Sequence, residues 1–206
     1  MERTIDSQAS MTRGLTVKDF VFIAVFSLLL FVVFMACSMA LSMNASLVWF
    51  THALGALPAG VVWMYLFQRV PKRGAAAIMG VIMAVVGYLM GMFWTGSVGM
   101  LVGALLAEAL MGASGRRSAM RVAIAFLIFV ICSWIGLISL VVLMGGQAYV
   151  DMCIASGLDA SYAWAMVNVI FTPWAFVAGG AIIPTSLFGA WLGARLFQKH
   201  FARMAA

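Results

Sequence analysis

Long apolar runs separated by short connections recur along the whole chain, and they constrain its fold more than any other feature. The chain has 206 residues, of which 66% are hydrophobic and only 9% are charged. A soluble domain of this length needs far more polar residues to cover its surface. Runs of about 20 apolar residues are long enough to cross a bilayer as helices. The sequence therefore predicts an all-α, polytopic membrane protein.

The apolar runs divide into six predicted transmembrane helices. Their approximate bounds are 20–43, 53–67, 75–94, 98–113, 122–144 and 167–191. With six spans, both termini lie on one side of the membrane and every Lys and Arg falls at that side. Lys and Arg that flank spans are retained in the cytoplasm. We therefore predict a cytoplasmic tail over 1–14 and a single transmembrane domain over 15–206, in the plasma membrane of a prokaryote.

The basic residues and the cysteines indicate neither nucleic-acid binding nor a metal site. The net charge is +6, but the Lys and Arg residues occupy short connections and termini, where they orient the protein in the bilayer. The cysteines Cys37, Cys132 and Cys153 lack metal-ligand spacing. We predict that they are packing residues, that no metal is bound and that nucleic acid is not a partner.

The segment between predicted spans five and six is longer than the other connections. It covers about 146–166 and has aromatic and apolar residues at helical spacing, which favours an outer lid or site wall. Aromatic and polar residues gather near this depth, and an interfacial aromatic belt accounts for some of them. The predicted substrate-binding residues are Trp49, His52, Trp94, Thr95, Gln147, Tyr149, Asp151, Tyr162, Trp164, Asn168 and Trp174.

Motifs for catalysis are weak in this sequence. The phosphate-loop pattern and H-E-x-x-H are absent, and topology puts His52 and His200 on opposite faces, which argues against a catalytic pair. The string Gly112-Ala113-Ser114-Gly115 resembles a motif of intramembrane serine proteases, but it falls in a basic turn with no histidine on a neighbouring span at its depth. We predict that the protein is not an enzyme, and an intramembrane enzyme is a remote alternative.

Glu108 is the one carboxylate inside a predicted span. An intramembrane acid is a candidate for function. Its position near the basic end favours pairing with Arg116 or Arg117, and proton or cation coupling is the alternative. The predicted spans offer few other polar residues to line a path. A stand-alone secondary transporter or channel is therefore the alternative to a substrate-binding subunit.

A series of short motifs, in a fixed order over the six predicted spans, resembles the MptD-like (Trep_Strep) group of S components of energy-coupling factor (ECF) transporters. The motifs are Leu15 to Asp19, Val70 to Lys72, Ala107-Glu108, Ala148-Tyr149, Asp159 to Tyr162, Thr172 to Trp174, Gly189-Ala190, Leu192-Gly193 and Lys199 to Phe201. The resemblance implies a six-helix subunit that captures a small nutrient outside the cell. It also implies docking on a transmembrane coupling protein bound to two ATPase subunits, and toppling in the lipid bilayer to carry the site inward.

The resemblance further implies a docking face made of small residues on the first span. The A-x-x-x-A pattern of that face is matched by Ala36 and Ala40, near the outer end, and partly by Ala24 and Ser27, which are better placed along the span. These four are the predicted partner-docking residues.

The predicted site favours a flat, largely apolar substrate with polar edges. It combines aromatic surfaces, little charge, one histidine and nearby methionines. A vitamin-like molecule or haem has this character, and no resident cofactor is expected. For haem, His52 and Tyr149 are the candidate axial ligands.

Overall fold

The computed structural model describes residues 14–115 and 118–202, and the predicted tail over 1–14 lies outside this part except for Gly14. The described residues form helices and connecting turns without a strand, which confirms the all-α prediction. The helices are α1 Val17–Leu41, α2 Thr51–Arg69, α3 Ala75–Leu89, α4 Trp94–Gly115, α5 Ala119–Met144, α6 Gly146–Ala155, α7 Ala160–Ile170 and α8 Trp174–Ala202, with a 3₁₀ turn at Val48–Phe50 before α2.

Five of the described helices, α1, α2, α4, α5 and α8, are long and apolar enough to cross a membrane. The predicted third span is shorter than expected, because α3 has 15 residues and rises only about 22 Å, against a hydrocarbon core of about 30 Å. It ends at Leu89 because Gly91 adopts a left-handed φ of 91°, a common helix stop. Thr95 therefore lies in the first turn of α4, and the predicted connection at 95–97 is wrong.

Described Lys and Arg side chains gather at one end of the bundle, where α1, α3 and α5 begin and α2 and α4 end. This end is called the basic end. Thr16 and Asp19 form a capping box at the start of α1. Lys72, in the connection after α2, lies 2.7 Å from the Asp19 carboxylate. The ion pair joins the start of α1 to the end of α2.

Glu108 acts as a helix cap. Its carboxylate accepts hydrogen bonds from the backbone amides of Gly74, at 2.7 Å, and Ala76, at 3.0 Å. These amides open α3, where a helix has unpaired N–H groups and the positive end of its dipole. The predicted partners Arg116 and Arg117 lie outside the described residues. Glu108 thus has a structural role in holding α4 against the start of α3.

Replacing Glu108 with alanine is expected to destabilise the bundle by about 1.5–3 kcal/mol, because two charge-assisted bonds to α3 are lost. Glu108→Gln keeps one acceptor oxygen and should lose less. Thermal unfolding in detergent micelles measures the difference, and equal melting of Glu108→Ala and the unmodified protein would contradict the capping role.

Two helix pairs approach closely at glycines. A Cβ atom on Gly99 of α4 would lie 2.6 Å from the Cys132 carbonyl oxygen of α5, and one on Gly60 of α2 would lie 2.5 Å from the Gly189 carbonyl carbon of α8. Small residues that let backbones meet are typical of helix contacts in membranes. Gly99 and Gly189 therefore belong to close-packed helix faces.

Candidate functional site

A partly enclosed cavity of about 70 Å³ lies at the end of the bundle opposite the basic end. It is bounded by the end of α1, the start of α2, the end of α3 and the start of α4, together with the second half of α5. Its lining residues are Phe31, Phe34, Met35, Ser38, Thr51, His52, Met83, Met92, Met100, Phe129, Ser133 and Leu137. We call it the His52 cavity.

His52 is the most versatile polar group in this cavity. It lies in the first turn of α2, is only 7% exposed, and its ring centroid is 5.9 Å from that of Phe34. Its imidazole makes no hydrogen bond to another residue in the part of the chain that the structure describes. Buried polar groups normally have a partner. An imidazole left without one, at the wall of a cavity, is free to hydrogen-bond to a molecule in that cavity.

The other cavity walls are neutral. Ser38, Thr51 and Ser133 contribute hydroxyl groups, and Ser133 donates its own hydrogen bond to the Phe129 carbonyl at 2.8 Å. Four methionines and three phenylalanines supply most of the remaining surface, and none of the described lining residues is charged. The cavity can therefore offer hydrogen bonds and apolar contacts, without a charge to balance an ion.

Helices α6 and α7 lie at the cavity end of the bundle, and we call this pair of short helices the lid. Asp159 caps α7 by accepting from the backbone amides of Ser161 and Tyr162. The Ser161 hydroxyl donates to the same carboxylate, and these bonds lower the pKa of Asp159. Gly157 has a left-handed φ of 90° in the turn between the two helices. The predicted segment 146–166 is thus a pair of short helices, and α7 continues to Ile170.

Two hydrogen bonds fasten the lid and a third anchors the connection that it binds, and we call the three bonds the latch. The Trp49 indole N–H donates to the Met166 carbonyl at 2.9 Å, and the Tyr162 hydroxyl donates to the Ser42 carbonyl at 2.5 Å. The Trp134 indole N–H donates to the Trp49 carbonyl at 3.0 Å. The latch therefore joins α7 to the connection before α2, and that connection to α5.

Tyr149 lies on the underside of the lid, where it packs edge-on against Phe93 at 6.2 Å between ring centroids. Burial raises the pKa of its phenol, so Tyr149 stays protonated at neutral pH. Phe93 follows Met92, a lining residue of the cavity. Tyr149 thus contacts the residue next to a lining residue, but no residue of α6 or α7 lines the His52 cavity.

Only His52, among the predicted substrate-binding residues, lines the cavity. Trp49, Tyr149 and Tyr162 instead hold the lid. The other seven lie outside both groups: Gln147 and Asp151 bond to each other on the lid surface, Thr95 is buried beside the exposed Trp94 in a groove between α4 and α5, and Trp164, Asn168 and Trp174 are exposed. They do not form one site because α6 and α7 turn their apolar faces inward and their polar faces outward.

Sequence reasoning missed the hydroxyl and thioether groups of the cavity. Ser38, Thr51 and Ser133 come from three different helices, and isolated serines or threonines in apolar helices commonly bond to their own backbone. Met83 and Met100 resemble ordinary core residues. The one sequence signal for the cavity was a polar residue within a predicted span, as at Ser133. That signal did not indicate which residues of other helices would line the cavity with it.

The two candidate haem ligands lie in different parts of the structure. His52 lines the cavity, whereas Tyr149 belongs to the lid. The cavity volume of about 70 Å³ is well below the roughly 300–1,000 Å³ of typical ligand pockets. A macrocycle would therefore require the lid and several side chains to move.

The predicted docking residues separate into exposed and buried positions on α1. Ala36 and Ala40 are exposed, and Ala24 is half-buried. Ser27 is fully buried and donates to the Ile23 carbonyl at 2.6 Å. It faces the interior of the bundle and is not part of an exposed docking face in this structure.

Comparison with known proteins identifies the family. A family model described as a hypothetical bacterial integral membrane protein (Trep_Strep) matches residues 17–203. The chain belongs to the Trep_Strep family. The match runs from the start of α1 into the end of α8, so the cavity and the lid of this Trep_Strep protein both lie within it. No curated protein and no solved structure shows a significant match.

Proposed function

We propose that this protein is the substrate-binding subunit, or S component, of an ECF-type importer. The observation that carries the proposal is the His52 cavity, which lies beside a latched two-helix lid at the end of the bundle farthest from the basic residues. If the basic end faces the cytoplasm, the cavity faces outward, where a nutrient would be captured. The role is binding without catalysis.

The distribution of charge supports delivery by toppling against a coupling protein. Lys72 is paired with Asp19, and Glu108 is bonded to backbone amides, both at the basic end. The described middle of the bundle is apolar, so its rotation in lipid would not move unpaired charged side chains into the hydrocarbon core. Glu108, already engaged as a helix cap, is poorly suited to proton coupling. This weakens the alternative of a stand-alone secondary transporter.

The proposal is tested by co-expressing the tagged chain with the coupling protein and the two ATPases of an ECF module from the same cell. We expect the four proteins to purify together and to support ATP-dependent uptake in proteoliposomes. Uptake by this chain alone, driven by an ion gradient, would instead establish the secondary transporter. Failure of the four proteins to associate would contradict the S-component role.

The exposed small residues of α1 give a more local prediction. Ala36→Trp or Ala40→Trp should reduce recovery of the coupling protein at least about tenfold, because close helix contact requires small side chains. Val102→Trp, on the exposed face of α4, is the matched control and should leave recovery unchanged. The measurement is the ratio of coupling protein to tagged chain after purification. Equal recovery in all three variants would place the docking face elsewhere.

A further inference from the structure

We infer that the His52 cavity takes an uncharged, single-ring aromatic molecule that carries a hydrogen-bond acceptor. This inference rests on the proposed function, because it names the class of substrate that the same site would capture. Four properties of the cavity lead to it: its lack of charge, its apolar walls, the unpaired imidazole and its volume.

The neutral lining excludes ions as favoured ligands. None of the described lining residues is a carboxylate, an ammonium or a guanidinium group. Burying an ion without an opposite charge is far more costly than burying a neutral polar group that gains a hydrogen bond. A carboxylate or ammonium on the ligand would therefore lose its hydration without gaining an opposite charge in the cavity.

The apolar walls favour a flat ring. Phe31, Phe34 and Phe129 supply aromatic faces that suit offset or edge-on contacts with another ring. Methionine accounts for 17 of the 206 residues in the chain but for four of the twelve lining residues. Thioethers are polarisable, make favourable contacts with aromatic rings and adapt to irregular shapes. The wall is thus both attractive to a ring and able to repack around it.

The polar side of the cavity favours a neutral group that accepts a hydrogen bond and can also donate one. A neutral imidazole carries one N–H donor and one acceptor nitrogen, and neither nitrogen of His52 has a partner among the described residues. The adjoining Thr51 hydroxyl also lines the cavity. A ring nitrogen or an amide oxygen on the ligand would satisfy these groups.

The volume limits the ligand to about one ring. An apolar cavity of about 150 Å³ accommodates benzene, whereas the His52 cavity measures about 70 Å³. Repacking of flexible methionines such as Met83, Met92 and Met100 can provide the difference for a single ring. Haem does not fit the inferred class of ligand. It is several times larger than one ring, and it carries two carboxylates that the neutral lining would not balance.

Three probes of nearly equal size test the inference on the purified full-length protein. Benzamide is neutral and has an acceptor oxygen, benzoate is anionic and benzylamine is cationic. We expect benzamide to bind at least about tenfold more tightly than either charged probe, as measured by calorimetry or by the thermal shift at equal concentration. Tighter binding of benzoate or benzylamine, or no binding of benzamide, would overturn the inference.

Single substitutions test whether His52 and Thr51 contribute to benzamide binding. His52→Phe keeps the ring volume and removes the nitrogen atoms, so benzamide affinity should fall about tenfold, which corresponds to about 1.4 kcal/mol. Thr51→Val removes the adjoining hydroxyl group and should also weaken benzamide binding. It provides the test if His52→Phe does not fold. Trp164→Phe, on the exposed face of the lid, should have no effect. Unchanged benzamide affinity in both cavity variants would contradict the assignment.

The test of the ligand class and the test of the importer role can fail independently of each other. Association with the coupling protein and ATPases depends on an outer surface, so His52→Phe should not change it. Loss of that association would disprove the importer role while leaving the probe selectivity intact. Loss of probe selectivity, with association retained, would disprove only the ligand class.

Discussion

Replacing Trp49 with alanine is expected to detach the lid and to cost about 3–5 kcal/mol, the range for deleting a large buried aromatic side chain. Trp49 is 5% exposed. Its indole N–H holds the Met166 carbonyl of α7, and its ring belongs to the apolar cluster that includes Tyr149 and Cys153. Alanine removes both the packing and the hydrogen bond. Because the lid adjoins the His52 cavity, its release should also speed exchange of any bound molecule.

Amide hydrogen exchange of residues 146–170 measures the detachment directly. Trp49→Ala should lose protection there, while the helices at the basic end stay protected. Trp49→Phe keeps most of the apolar contact and loses only the hydrogen bond, so it should cost about 1 kcal/mol. Trp164→Ala is the matched control, since this tryptophan lies on the same lid with 41% exposure. Similar exchange in Trp49→Ala and Trp164→Ala would refute the latch.

Replacing Gly189 with valine is expected to cost at least about 3 kcal/mol, the upper end of the usual penalty for overpacking. A Cβ atom at Gly189 would lie 2.5 Å from the carbonyl oxygens of both Ala56 and Leu57 on α2. These are backbone atoms and cannot rotate away as a side chain can. The clash can be relieved only by separating α8 from α2, which disturbs the whole contact between the two helices.

Gly180→Val is the matched control on the same helix. No atom lies within 4 Å of a Cβ atom built at Gly180, so valine there should change stability by no more than about 0.5 kcal/mol. Thermal unfolding of the two variants in the same detergent compares them directly. Comparable melting temperatures would show that α2 and α8 are not in close contact in the folded protein.

Several elements of this fold could be predicted from the sequence because each depends on local chemistry. Apolar runs of sufficient length require helices in a bilayer, and the described chain is helical throughout its apolar segments. Thr16, followed three residues later by Asp19, has the residue types and spacing of a capping box, and the two residues cap α1. The unusual length of the segment at 146–166 indicated an additional element, and α6 and α7 occupy it. Basic residues in alternate connections indicated which helix ends lie together.

The site could not be predicted in the same way, because it depends on which apolar face points inward. In a soluble helix the outer face is polar, and the pattern identifies the core. In lipid the outer face is as apolar as the core, so neighbours such as Phe31, 6% exposed, and Val32, 59% exposed, look alike in the sequence. Trp49 and Trp94 are equally ambiguous, although one holds the lid and the other faces outward.

The sequence by itself therefore determined the class of protein, the helical segments and the gathering of basic residues at one end. Hydropathy and charge act along the chain, residue by residue, and can be read without knowing which helices touch. Only the tertiary structure decided that His52 lines a neutral cavity with Ser38, Thr51 and Ser133, and that Glu108 caps α3. These groups come from helices distant in sequence, and only the packing of those helices brings them together.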